Sequence, residues 1–142
     1  MKIIIVGAYA IGTHLAELLS RNNEDVVLID NNPDNLVRLD RDFDLLTICA
    51  EPTSIKALKD AGAEHADLLI AVTPQETVNI NICVVAKNLG TKRTVAKIDS
   101  FEYLNEGMDK FFQQVGIDSL IYPEMLAAKD IISGLKMRSE ER

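Results

Sequence analysis

The chain alternates between short apolar runs and longer segments that carry apolar residues at helical spacing. The first run, Lys2–Val6, is rich in β-branched residues and ends at Gly7, and apolar side chains recur three and four positions apart over residues 11–19. This pattern predicts a strand, a tight turn and a helix. A second buried strand is predicted over 25–29, and a helix is predicted from Pro33, which is tolerated in a first helical turn.

The same alternation continues to residue 122. Further strands are predicted over 45–49, 67–72, 94–98 and 120–122, and further helices over 54–61, 76–89 and 108–115. Strands that are apolar throughout are typical of a parallel sheet that is covered on both faces. The sequence therefore predicts an α/β fold with a doubly wound parallel sheet of about six strands.

One predicted helix, which begins at Pro123, has no place in this sheet. Its apolar residues form a broad stripe of Met125, Leu126, Ala128, Ile131, Ile132 and Leu135. Because only the charged end MRSEER follows, we expect this stripe to pack against a second copy of the chain. The expected organisation is a lobe over 1–122 and a dimerisation helix with a charged end over 123–142.

Composition narrows the class of partner. Of 142 residues, 47% are hydrophobic and 26% charged, as in an ordinary globular protein with one core. The net charge of −7 excludes sequence-independent binding to nucleic acid or anionic lipid, so we expect protein or small-molecule partners.

Cys49 and Cys83 lie in apolar runs and are expected to be core thiols. With no run long enough to span a bilayer and no signal-peptide cleavage site, the chain is expected to be cytoplasmic and not inserted in a membrane.

The first turn holds the strongest candidate for phosphate chemistry. It keeps the outer glycines of the dinucleotide-binding pattern G-x-G-x-x-G but has a tyrosine at the middle glycine, and it reads Gly7, Ala8, Tyr9, Ala10, Ile11, Gly12. Gly7 permits the tight turn, Gly12 allows close packing of helix and strand, and the helix N-terminus attracts phosphate. A side chain at Tyr9 obstructs close approach of a pyrophosphate, so the ring shifts the ligand or covers it.

An acidic residue follows at the position where such sites bind ribose. Asp30 ends the second predicted strand, 18 residues after Gly12, and can accept hydrogen bonds from an adenosine ribose. Asn31 and Asn32 come next, without an Arg or Lys to neutralise a 2′-phosphate. These residues favour NAD or another unmodified adenosine ligand over NADP.

Four stretches of the chain together resemble a known family. They are KIIIVGAYAIGTHLAELLS with VVLID, PTSIKALKDAGAEHADLLIAVT, NLGTKRTVAKI and GIDSLIYPEMLAAKDI. In this order they resemble the N-terminal, Rossmann-like nucleotide-binding lobe of RCK or KTN domains, as in the TrkA-type regulatory subunits of bacterial potassium uptake systems. The resemblance implies binding of NAD(H) or adenine nucleotides, a C-terminal helix that crosses over between subunits, and dimers or larger rings that act on a membrane potassium transporter or channel subunit.

The resemblance also implies a set of ligand contacts. They are Gly7, Ala8, Tyr9, Ala10, Ile11, Gly12, Asp30, Asn31, Glu51, Thr73 and Lys97. Three of them have structural alternatives: Glu51 as a solvated loop residue, Thr73 as a helix cap, and Lys97 as the partner of Asp99.

The chain departs from the family at three points. Besides Tyr9, the loop that usually reads G-D-A-T here reads AEPT at residues 50–53. The family's second, C-terminal lobe has no counterpart, and one interpretation is that the chain is a fragment of a longer protein.

No enzyme motif is found beside the nucleotide loop. His14 and His65 have no partners at metal-ligand spacing, and no catalytic triad order, nucleophile elbow or P-loop occurs. We therefore expect a regulatory subunit, not an enzyme, that binds NAD or NADH, with ATP, ADP or AMP as alternatives, and that lies at the inner membrane through its partner. Two rival hypotheses are the cofactor domain of an oxidoreductase and a structural scaffold that binds no nucleotide.

Overall fold

A computed structural model describes residues 1–123 and gives twelve short elements. The strands are β1 (Lys2–Val6), β2 (Asp25–Asp30), β3 (Leu46–Cys49), β4 (Leu68–Ala71), β5 (Arg93–Lys97) and β6 (Ser119–Ile121). The helices are α1 (Ala10–Arg21), α2 (Pro33–Asp42), α3 (Ile55–Asp60), α4 (Glu76–Leu89) and α5 (Met108–Val115), with a 3-10 helix over Phe101–Leu104. Each predicted element within the described residues is present, with bounds that shift by one or two positions.

The six strands form one parallel sheet in the order β3-β2-β1-β4-β5-β6. Ile4 of β1 lies in register with Val27 on one side and Leu69 on the other. The direction of the strand order reverses next to β1, so the chain winds one way from β1 through β3 and the other way from β4 through β6. The predicted doubly wound, Rossmann-like fold is confirmed.

The alternation of side chains along β1 divides the core into two layers. Ile3 and Ile5 pack in the layer that includes Leu15 of α1, and Ile4 and Val6 pack in the layer that includes Ile82 of α4. All four β1 side chains are fully buried because helices cover both faces of the sheet. This central position fixes the carboxyl end of β1, where the glycine turn begins.

The edge strand β3 differs from the expectation of cover on both faces. Leu46 is 64% exposed, and Cys49, which was expected to be a core thiol, is exposed. That expectation is wrong for Cys49 because β3 pairs only with β2 and Cys49 ends the strand at the rim of the sheet. The expectation of a core thiol is confirmed for Cys83 in α4, whose thiol is buried and whose pKa is raised by desolvation.

The helix that the sequence predicts from Pro123 onward, including its expected role in dimerisation, lies outside the described residues except for Pro123 itself. Over residues 1–123, none of the helices has the length and apolar character that crossing a bilayer requires.

Candidate functional site

A cleft of about 410 Å³ opens at the carboxyl ends of β1, β2, β3 and β4. This is the edge of the sheet beside the point where the strand order reverses, which is where open α/β sheets bind ligands. The residues that line it are Tyr9, Asp30, Asn31, Glu51, Pro52, Thr53, Thr73, Pro74, Gln75 and Val78. Five of them were predicted as ligand contacts, and they come from four separate loops.

The two glycines of the first turn have the roles that their spacing predicts. Gly7 has a φ of +112°, and a side chain there would lie 2.9 Å from the backbone nitrogen of Thr73. At Gly12, a Cβ would lie 1.8 Å from the carbonyl oxygen of Gly7. Residue 7 therefore needs glycine for its conformation, and residue 12 needs it because α1 packs directly on the turn.

Tyr9 occupies the middle position of the turn without backbone strain. Its φ is −103° and its ψ is −165°, an extended conformation that any residue adopts. It immediately precedes α1 as the N-cap residue, and its side chain makes no capping hydrogen bond. The residue is 46% exposed and lines the cleft. The side chain thus lies in the site that a middle glycine would leave open.

Asp30 holds the turn and the start of α2 together. Its Oδ1 accepts a hydrogen bond from the Ala8 backbone N–H at 3.0 Å, and its Oδ2 accepts from the Asn32 N–H at 3.0 Å and from Asn35 Nδ2 at 3.1 Å. The residue is only 1% exposed. A carboxylate has about four acceptor positions, so one remains on Oδ1 for a ligand hydroxyl. Asp30 therefore organises the cleft even before any ligand contact.

Asn31 and Glu51 face each other across the ends of β2 and β3. Asn31 Nδ2 lies 3.5 Å from both carboxylate oxygens of Glu51, at the outer limit for a hydrogen bond. Both residues are exposed and both line the cleft. Their donor and acceptor groups are therefore available to a polar ligand, as the predicted contacts require.

Thr73 is at the cleft, but its hydroxyl is already used inside the protein. Its Oγ1 donates to Asn79 Oδ1 at 2.7 Å, and its backbone N–H donates to the same oxygen at 2.9 Å. The hydroxyl also accepts from the Gln75 N–H at 3.3 Å, just before α4 begins. The hydroxyl of Thr73 thus stabilises the turn before α4. It does not cap the helix, because the N-cap residue is Gln75 and no side-chain cap hydrogen bond forms there.

Asn79 was missed by the sequence analysis. It is 0% exposed, and its Nδ2 donates to the carbonyl oxygens of Thr73 and Lys97, each at 3.0 Å. Its side chain thus connects the ends of β4 and β5 from within α4. The only sequence signal was a polar residue among the apolar positions of a helix.

The ammonium group of Lys97, another predicted contact, pairs with Asp99 outside the cleft. Its Nζ lies 3.1 Å from Asp99 Oδ1, and the residue is not among those that line the cleft. The remaining predicted contacts, Ala8, Ala10 and Ile11 with the two glycines, lie in the turn and first helical turn beside Tyr9. No group of described residues could hold a metal ion.

Charge is unevenly distributed around the cleft. Among residues 1–123, its lining includes the carboxylates of Asp30 and Glu51 and no Lys or Arg. The N–H groups at the start of α1 are the favourable elements for an anion, because first-turn N–H groups have no intrahelical acceptor. The site can therefore bind a hydroxyl-rich ligand on its acidic side and a phosphate at α1.

Comparison with known families agrees with this geometry. The model of the TrkA-N domain matches residues 3–123, which include the whole sheet except Lys2 at the start of β1. The chain belongs to the TrkA-N family. This confirms the family that the four sequence stretches indicated.

The curated relatives of this TrkA-N chain are potassium uptake proteins. It is 42% identical over 134 residues to the Trk system potassium uptake protein TrkA of Haemophilus influenzae, covering 92% of this chain and 29% of that protein. It is 31% identical over 128 residues to a TrkA homolog of Methanothermobacter thermautotrophicus, covering 90% of this chain and 57% of the relative. The chain thus spans less than two thirds of either protein.

Solved structures share the fold of this TrkA-N chain at low sequence identity. The TrkA-N domain of the inner membrane protein ybaL from Escherichia coli superposes with a TM-score of 0.75 at 16% identity, covering 94% of this chain and 95% of that one. The GsuK channel bound to NAD gives a TM-score of 0.68 at 18% identity, covering 84% of this chain and 21% of that one. The Kef C-terminal domain of Shewanella denitrificans in its AMP-bound form gives a TM-score of 0.59 at 21% identity, covering 75% of this chain and 67% of that one.

Proposed function

We propose that this chain is a nucleotide-binding regulatory part of a potassium transport system. The observation that carries the proposal is the cleft at the strand reversal, where Asp30, Asn31 and Glu51 surround one side and the start of α1 lies on the other. Relatives named as Trk potassium uptake proteins support the transport role. The ligand is an adenosine nucleotide without a 2′-phosphate, a class that includes the predicted NAD and NADH and the alternatives ATP, ADP and AMP.

The charge of the cleft supports the exclusion of NADP. A 2′-phosphate on the adenosine ribose would approach Asp30 and Glu51, and the lining residues include no Lys or Arg to compensate within the described chain. Like charges at short range oppose binding, whereas ribose hydroxyls can donate to the carboxylates.

Regulation requires that ligand binding favour one arrangement of an assembly over another. We propose that the lobe over 1–122 binds the nucleotide and that residues 123–142 join it to a second copy, in a dimer or larger ring on the cytoplasmic side of a membrane potassium transporter or channel subunit. A ligand that binds two arrangements with different affinity shifts their populations, commonly by about 1–3 kcal/mol. The protein then acts by binding and not by catalysis.

Thermal unfolding with NAD, NADH, NADP, ATP, ADP and AMP tests the site. A ligand at about 100 times its Kd stabilises the native state by about 2.7 kcal/mol, which raises Tm visibly. Asn31→Ala removes a polar group of the cleft and should reduce the shift. Asn88→Ala, an exposed substitution on α4 outside the cleft, should retain it. Absence of a shift with any nucleotide would support the scaffold hypothesis instead.

Incubation with NADH and carbonyl acceptors tests the absence of catalysis. The regulatory proposal expects binding without a fall in NADH absorbance. If NADH is oxidised steadily, and if Asn31→Ala slows that oxidation, the oxidoreductase hypothesis is favoured.

A further inference from the structure

The position of Tyr9 restricts which adenosine nucleotides fit the cleft, and this inference rests on the proposed function. A middle glycine in the turn lets the backbone come close to a pyrophosphate. Here the residue carries a phenol ring that lines the same cleft as Asp30 and Glu51. The ring therefore competes for the space that a second phosphate group would enter.

One backbone N–H of the turn is not available to a phosphate. The Ala8 N–H already donates to Asp30 Oδ1 at 3.0 Å, so it does not serve a phosphate. Donors to an anion begin at the first turn of α1, which starts at Ala10. These donors place a phosphate group at the helix N-terminus.

The charge of the cleft also favours a ligand with a single phosphate group. The described residues that line the cleft include two carboxylates and no Lys or Arg, and the ammonium group of Lys97 is paired with Asp99. A second phosphate would add negative charge without a nearby cation. Each added phosphate therefore raises the repulsion while the number of donors stays constant.

We infer that the cleft selects a nucleoside monophosphate, adenosine 5′-monophosphate among the candidates, over ligands that contain a pyrophosphate, and that Tyr9 is the residue that sets this selectivity. NAD and ADP share the pyrophosphate and are disfavoured for the same reason. Adenosine lacks the phosphate and loses the contact with α1.

Isothermal titration of AMP, ADP, NAD and adenosine tests the selectivity. With the wild-type chain, AMP is expected to bind at least 10-fold more tightly than ADP, NAD or adenosine. Tyr9→Gly should tighten NAD and ADP at least 10-fold and leave AMP within about 3-fold. The variant should fold, since Gly is well tolerated at a helix N-cap and Tyr9 makes no capping bond.

Tyr9→Phe is the matched control, because it keeps the ring and removes only the hydroxyl. It should preserve the wild-type order of affinities. Equal wild-type affinity for NAD and AMP, or a Tyr9→Gly variant with an unchanged NAD to AMP ratio, would overturn the selectivity while the proposed function stands. Failure of all four ligands to bind both the wild-type chain and Tyr9→Gly would overturn both.

Discussion

Gly12 shows how one missing side chain determines the shape of the site. A Cβ at this position would lie 1.8 Å from the Gly7 carbonyl oxygen, which is backbone and cannot rotate away. Gly12→Ala should therefore force α1 away from the turn and destabilise the protein by about 1–3 kcal/mol or more, as overpacking does. Urea unfolding measures the loss.

His14→Ala is the control for this prediction. His14 lies on the exposed face of the same helix, two residues further on, so its replacement should change stability by no more than about 0.5 kcal/mol. Equal stability of Gly12→Ala and His14→Ala would show that the contact with Gly7 does not constrain the turn.

Asn79 supports the cleft through four hydrogen bonds that no other side chain replaces. Asn79→Ala removes the buried partner of the Thr73 N–H and of the carbonyl groups of Thr73 and Lys97, whereas the Thr73 hydroxyl can still donate to the Gln75 carbonyl oxygen at 3.2 Å. Each unsatisfied buried group costs about 1–3 kcal/mol, so we expect a total loss of at least about 2 kcal/mol. Urea unfolding should show this loss for Asn79→Ala and almost none for Asn88→Ala, whose side chain is exposed on the same helix. Similar losses for the two variants would contradict a special role for Asn79.

These residues mark where sequence reasoning reaches its limit at the site. The turn from Gly7 to Gly12 and the acid at Asp30 were predictable, because local conformation and the end of a strand determine where they lie. The burial of Asn79 and its hydrogen bond to the Lys97 carbonyl oxygen depend on how α4 packs against β5. A linear pattern carries no such information, so the structural alternatives at Thr73 and Lys97 could not be decided.

At the scale of elements, the period of the apolar residues was sufficient to predict the sheet. Each central strand is buried on both faces, and its continuous apolar run differs clearly from the helical spacing on either side. The edge strand β3 also has an apolar run, yet Leu46 and Cys49 are exposed. Which strand lies at an edge follows from the strand order, and the pattern of a single strand does not reveal it.

Asp67 joins three elements at the opposite end of the sheet from the cleft. It directly precedes β4, accepts from the Lys2 N–H of β1 at 2.8 Å, and pairs with Lys92, which precedes β5, at 3.1 Å. The N–H of Lys2 and the ammonium group of Lys92 lower the pKa of Asp67 below its ordinary value. Its charged form is therefore favoured in the folded chain.

The lowered pKa makes this connection sensitive to acid. In the pH range between the folded and unfolded pKa values, the unfolded chain binds more protons, so stability rises with pH. The contribution of Asp67 is complete above the ordinary Asp pKa of about 3.9 and is lost as pH falls through the folded value. Asp67→Asn should be less stable than wild type at pH 7, and the difference should shrink in urea titrations below about pH 4. A difference of constant size across this range would contradict the prediction.

At the scale of the whole molecule, the proposed regulation requires that two copies associate through residues 123–142. The cleft lies at the carboxyl ends of the strands, and β6, the last strand, leads at that same edge into the segment with the predicted apolar stripe. The proposed function requires that nucleotide binding in the cleft favour one arrangement of the associated copies over another.

Ile131→Glu tests this association directly. A carboxylate in the predicted apolar stripe would have to be desolvated between two copies, so light scattering at micromolar concentration should show dimer for wild type and monomer for the variant. Lys129→Glu changes the charge at a polar position two residues away and should leave the dimer mass unchanged. A monodisperse wild-type monomer would contradict the dimer. If both variants lose the dimer equally, the association depends on charge and not on the apolar stripe. Because the cleft is built from residues 9–78, nucleotide binding by the monomeric variant would separate recognition from assembly.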